Sequence, residues 1–335
     1  MHTGKSYGLA EFLHWTRRSI GWLLLIGTIP TVLYEVFGLH WLTVPWPVVA
    51  MLGTATAFIV GFKNAQSYSR TWEARQIWGG AVGACRAWAM MSRDLLHDPA
   101  LSRELIYRQL AWLTALRYQL RSHRGWESSN KSYNKEYQQR FTVPENETPL
   151  EQELAKYLSP ADLARIWSGN NRATQLLSLQ GERLKEFNEQ GYLEHFRFLD
   201  MHAALREFTG HQGKSERIKN FPYPRQYATI NRLFVQLFAL LLPFALLEEF
   251  AALDQHVTGL LKGHMVWLAI PFSALISWVY TSLEQVGAST ENPFEGSANS
   301  IPISQMSRAA EIDMLEMLGE TDLPPALQPR NNIVL

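Results

Sequence analysis

Residues 46–62 carry no charge, and at Lys63 the chain turns polar within one residue. No glycine or proline then interrupts it before Arg75, so helical character can run straight through the change. A helix that passes unbroken from an apolar to a polar medium leaves few folds open. One end must lie in hydrocarbon, where only helices and closed barrels satisfy their own backbone, and the other in water. Within the apolar half Thr54, Phe58 and Phe62 recur every four residues and so share one face. Such a stripe on a helix with a basic, amide-rich continuation suits a pore wall; the plainer reading is helix–helix packing.

Three further apolar segments accompany it: residues 20–44, broken only by Glu35 and His40, residues 233–247, and residues 265–283. The mean hydropathy of −0.15 hides this segregation. A helix needs about 20 residues to cross a bilayer and at least ~17, so the segments at 46–62 and 233–247 require helical extension at their flanks. Pro30, Pro243 and Pro271 lie inside apolar runs, which a bundle in a membrane tolerates. The first run starts too late, is too long and lacks a cleavage pattern for a signal peptide. The expectation is an all-α membrane protein with four spans and a large helical cytoplasmic domain.

Its predicted divisions are an N-terminal unit at 1–62, a helical domain at 63–227, a second pair of spans at 228–285 and a tail at 286–335. The links between paired spans are poor in Lys and Arg, whereas the N-terminus has Lys5, Arg17 and Arg18 and residues 63–225 hold most of the 31 basic residues. Positive charge stays inside, so both termini and the helical domain are expected in the cytoplasm. With 31 acidic residues to match, no field for nucleic acid arises. A single cysteine, Cys85, excludes an internal disulfide.

Of the 12 tryptophans, Trp22, Trp41, Trp46, Trp267 and Trp278 suit the membrane interface, and Trp72, Trp78, Trp88, Trp112 and Trp126 are expected as anchors of the helical domain. Apolar spacing predicts helices over 77–96 and 101–120. Residues 125–149 read as loop or ragged helix. Ser159-Pro160 starts a helix to Gln190, residues 192–208 form another, and 210–224 read as a turn-rich link. An amphipathic helix is predicted at 304–318.

No enzyme constellation, paired-cysteine motif or phosphate loop is present, and the spacing of His195, His202 and His211 matches no common metal-ligand pattern. No catalytic residue, metal or cofactor is therefore expected. Glu248 and Glu249, after the third apolar run, are candidate ion-attracting acids, or end markers of that run. Lys63 would add a basic collar to a pore if it faced the lumen.

In order along nearly the whole chain stand Leu52-Gly53-Thr54-Ala55, Phe58, Gly61-Phe62, Arg70-Thr71-Trp72-Glu73-Ala74-Arg75, Gln212-Gly213, Pro222-Tyr223-Pro224, Leu241-Leu242-Pro243-Phe244, Glu291-Asn292-Pro293-Phe294 and Ile312 to Glu320. Together these resemble the bestrophin family, in particular its bacterial homologues. The resemblance implies a homopentamer around a central pore in the bilayer. It also implies passive conduction of small monovalent ions, chloride and other anions above all, with cations as the alternative in bacterial forms. It places the pore neck on Thr54, Phe58 and Phe62, and a second, cytoplasmic constriction near Phe196, with Phe198 or Leu199 as alternatives. The family's first neck residue is usually aliphatic, so Thr54 implies a wetter neck. Its RWWEAR-type motif has Thr71 at the second position here. Animal members carry an acidic run after NPF that clasps calcium; here only Glu295 follows, too few oxygens for a hard cation. A non-conducting membrane sensor or scaffold remains the second reading.

Overall fold

The computed structural model describes residues 1–259 and 261–335, and every regular element among them is a helix. In chain order these are α1 (Leu9–Glu35), α2 (Trp46–Leu95), α3 (Pro99–Arg121), the short α4 (Ser132–Tyr137), α5 (Pro144–Glu147), α6 (Leu150–Leu154) and α7 (Pro160–Trp167), then α8 (Arg172–Glu189), α9 (His195–Asn220), α10 (Arg225–Asp254), α11 (Ala269–Thr290) and α12 (Ile303–Met317).

The 50 residues of α2 form one continuous helix, about 75 Å long at 1.5 Å per residue. Its first third packs with α10 and α11, and its remainder with α3, α9 and α12. The two halves differ in what they show to the outside. On α1 Trp22, Leu25 and Ile29, on α10 Leu233, Leu237 and Leu240, and on α11 Phe272, Leu275 and Val279 are all exposed. Contiguous apolar faces of that extent are unfavourable in water and suit lipid or a neighbouring subunit. The chain is a membrane protein. By length and composition α2, α10 and α11 with the preceding turn Met265–Leu268 can each cross a bilayer.

Close approach inside this bundle depends on small residues. A Cβ on Gly27 would lie 2.9 Å from Ser273 Oγ of α11, and one on Gly53 would lie 2.8 Å from the ring of Phe238 of α10. The first apolar run is not one helix to residue 44. It ends at Glu35, and Gly38 then takes a φ of +67° that turns the chain away. By contrast the third run is extended at both ends, so Glu248 and Glu249 lie inside α10 rather than closing it. Pro271 falls in the first turn of α11, where its missing N–H costs no intrahelical bond.

The other half is built around Trp78, Trp88, Trp112, Phe187 and Phe208, all fully buried. Trp88 and Trp112 meet the ring of Phe208 at 5.8 and 5.1 Å, and Trp112 Nε1 donates to Gln212 Oε1 at 3.0 Å. Trp72 and Trp126 are not core anchors: the first is exposed and the second half-buried. Asp98 caps α3, Ser159 caps α7 and Asn171 caps α8. That third cap explains why the helix predicted from Pro160 to Gln190 is two helices: Asn171 accepts from Thr174 N and restarts it. Residues 210–220, expected as a turn-rich link, continue α9, because Gln212, Ser215 and Ile218 continue its buried face. α12 lies on α2 and α3, with Arg86 Nε 2.6 Å from Asp313 Oδ2. The chain ends meet, Thr3 N donating to Asn332 O at 2.7 Å and Val334 N to Met1 O at 3.0 Å.

Candidate functional site

α2 presents two faces. Gly53, Thr56, Val60, Lys63, Ser67 and Thr71 are buried against the rest of the chain. On the other side Met51, Thr54, Phe58 and Phe62 are exposed, the two rings by 65% and 69%. Rings that packed the protomer's own interior would not be two-thirds uncovered, so within one copy this stripe is not a packing face. Ala55, Ala57 and Gly61 beside it are exposed too, and a Cβ on Gly61 would meet nothing within 4 Å. Thr54 Oγ1 donates to Ala50 O at 3.0 Å, so its proton is engaged within the helix and its oxygen presents lone pairs outward. Below Phe62 a groove of about 760 Å³ is lined by Gln66, Arg70 and Tyr227.

Lys63 does not belong to this surface. One residue past Phe62 is a rotation of 100°, and the ammonium is buried, 3.6 Å from Glu284 Oε1 and 3.7 Å from Glu291 Oε2. The basic collar is thereby withdrawn; the lysine is neutralised within the protomer. Glu291 also accepts from Arg225 Nη1 at 2.7 Å, so the pair ties α2, α10 and α11 together. Sequence reading missed both acids, although one cue was available. Lys63 and Glu284 each end an apolar run, and opposite charges at the same depth of a membrane seek one another.

The segment from Arg70 to Arg75 braces the two halves. Arg70 Nη2 donates to Phe221 O at 2.5 Å and also to Ile218 O, capping the end of α9, and Glu73 pairs with Arg217. Thr71 Oγ1 donates to Thr290 O at 2.9 Å, closing the end of α11. That bond is what the threonine contributes at this position.

The NPF turn is buried below the spans. Arg121 donates to Phe294 O at 3.1 Å and Ile301 O at 3.2 Å while facing Glu145 at 3.4 Å. Gly296 has a φ of +86°, a conformation that glycine adopts without a Cβ penalty. Glu295 accepts from Ser128 N at 2.8 Å and Ser128 Oγ at 2.6 Å. Burial, with Glu127 nearby, pushes its carboxyl up to about 7 despite those bonds. Both oxygens are thus engaged by protein donors, and among the described residues no three acids, histidines or cysteines are grouped to hold a metal.

At the far end of the helical domain, the first turn of α9 exposes Phe196 by 74% and Leu199 by 48%. Phe198 instead turns inward against the core and meets the ring of His202 at 5.6 Å, which removes it from a constriction. Glu248 and Glu249 are exposed near the C-terminal end of α10. Cys85 is buried and its thiol is pushed up to about 12 by desolvation, a packing residue and not a nucleophile.

Residues 20–316 match the family model described as bacterial/fungal bestrophin protein. The chain belongs to the bestrophin family. Among its relatives, the voltage-dependent anion channel-forming protein YneE of Escherichia coli K12 is 29% identical over 280 residues, covering 84% of this chain and 79% of that protein. A protein of the same description from Ralstonia nicotianae is 25% identical over 332 residues and covers 93% of this chain and 94% of its own. A crystal structure of a bacterial bestrophin homologue from Klebsiella pneumoniae superposes with a TM-score of 0.74 at 24% identity, covering 91% of this chain and 99% of that one. This bestrophin therefore shares their fold, and it is not an enzyme.

Proposed function

We propose that this bestrophin is a homopentameric channel that conducts small monovalent anions, chloride first among them, through a neck formed by Thr54, Phe58 and Phe62 of each subunit. The observation that carries it is the two-thirds exposure of Phe58 and Phe62 on a helix whose opposite face is fully packed. An apolar stripe left open in one copy and flanked by Ala55, Ala57 and Gly61 is suited to close approach by further copies. Ring edges carry partial positive charge and can line a neck that passes anions and gates by dewetting. Relatives named as anion channel-forming support the same sign.

In this reading α1 is the fourth span, about 40 Å long, packed on α10 and α11 through Leu23, Gly27 and Thr31. Both termini and the α3–α9 domain lie in the cytoplasm, beneath a bacterial inner or plasma membrane. Phe196 or Leu199 forms the second constriction.

Cation conduction is the second reading, favoured by a specific pair of observations. Lys63 is neutralised, and Glu248 and Glu249 are exposed. Planar-bilayer recording under a KCl gradient decides between them. The anion reading expects a reversal potential near that of chloride; a value near that of potassium selects the cation reading, and a silent bilayer removes both. In the same assay Phe58→Ala is expected to raise conductance on the order of tenfold, one 1.4 kcal/mol step in barrier. Its thermal stability should not change, since the ring packs on little of its own subunit.

A further inference from the structure

Where the apolar runs of α2 and α11 end, and before that of α10 begins, a cavity of about 120 Å³ opens between the three helices and the segment preceding α4. Four cations line it, Lys63, Lys131, Arg225 and Arg232, against two acids, Glu284 and Glu291. Both acids are already committed: Lys63 faces the two of them and Arg225 takes Glu291. Among the described residues neither Lys131 nor Arg232 has a carboxylate within 4.0 Å.

Lys131 is half-buried, and burial pushes its ammonium below the usual lysine range; Glu284 and Glu291 oppose that shift, while Lys63 and Arg232 add to it. The Trp126 indole N–H on the same wall is buried without an acceptor. Lys131 meets the Tyr133 ring at 5.9 Å but makes no ion pair, Arg232 is exposed at the rim, and the buried Trp126 donor is left without an acceptor. The cavity is many times the size of one water site, so it has room for a tetrahedral oxyanion.

We propose that this cavity is a phosphate-anion site, in which Lys131 and Arg232 supply the charge and Trp126 Nε1 a directed hydrogen bond. Its depth favours the phosphate of an anionic lipid on the side of the helical domain, since α2 turns polar at Lys63, α10 turns apolar at Leu233 and α11 turns polar at Glu284. Basic pockets between spans at that level hold acidic headgroups. Free phosphate offers the same chemistry from the aqueous side. The proposal does not depend on which ion, if any, the protein conducts.

The test uses the full chain in detergent, measuring thermal unfolding with added phosphatidylglycerol, phosphatidylcholine or inorganic phosphate, and lipid retention by native mass spectrometry. Phosphatidylglycerol is expected to raise Tm and to be retained, phosphatidylcholine much less. Lys131→Gln with Arg232→Gln should weaken retention about thirtyfold, from roughly 1 kcal/mol per basic residue. The lipid-free double variant should unfold no earlier than the parent, because it removes uncompensated charge. Stabilisation by inorganic phosphate alone would keep the site and assign it to a free ion. The proposal is overturned if no phosphate species stabilises the parent, if the double variant binds phosphatidylglycerol as well as the parent does, or if its lipid-free Tm falls, which would show that the two cations are structural.

Discussion

Lys63 shows how much a single rotation decides. It follows Phe62 directly, yet its ammonium is buried against Glu284 and Glu291 while the phenyl ring points out. Replacing it with methionine leaves two buried carboxylates, of which only Glu291 keeps a cation, and should cost about 3 kcal/mol. Chemical or thermal unfolding in detergent checks this; a pore-collar lysine would instead alter the reversal potential and leave stability nearly untouched. Glu295 is the second residue whose environment makes a measurable difference. Its folded carboxyl titrates near 7 against an ordinary 4.5, so the folded state holds a proton that the unfolded state has released. Stability therefore falls as pH rises from about 4.5 to 7, by on the order of 3 kcal/mol, and is flat beyond. Glu295→Gln can accept from Ser128 N–H with its oxygen and should abolish that slope, leaving the variant more stable than the parent at pH 8. An unchanged slope would mean that another group titrates.

Among the elements, α2 governs both halves because it has no interruption over 50 residues. Its buried face is graded by what it meets: Gly53 under Phe238, Lys63 under two acids, Thr71 at the end of α11, then the tryptophan core. The Phe238 ring is itself buried and lies 4.6 Å from Tyr280, so it has no free direction in which to yield. Gly53→Val should thus wedge α2 from α10 and cost about 1–3 kcal/mol; a Tm equal to the parent's would show the contact to be looser than described. Helix existence was legible from periodicity, as over 101–120, and from the cap at Ser159-Pro160; the Asp98 cap of α3 emerged only in the structure. Helix ends were not, since Gly38 and Asn171 act through backbone conformations and bonds that hydrophobic spacing does not record. Continuation of α9 to Asn220 was hidden too: its helical face is lined by Gln212 and Ser215, polar residues that read as surface until their partners are known.

For the whole molecule, the exposed apolar belt and the open stripe on α2 call for cover by lipid or by further copies, and the proposed pentamer makes the second testable. Light scattering of the purified protein should give five times 38.4 kDa after subtraction of detergent. Gly61→Leu, placed where a Cβ meets nothing in its own subunit, should lower that mass while leaving the helical signal unchanged. A monomeric parent would contradict the assembly. The sequence by itself determined the helical class and the apolar segments, because hydrophobic spacing reports which medium each face must meet, whereas the neck candidates came from the family resemblance. Only the tertiary structure decided which charges are spent inside the subunit and which are left over. Lys63 pairs with Glu284 and Glu291 across more than two hundred residues of chain, with Arg225 as the second cation, and Lys131 and Arg232 make no ion pair. Charge compensation depends on proximity in space, which composition and periodicity do not encode.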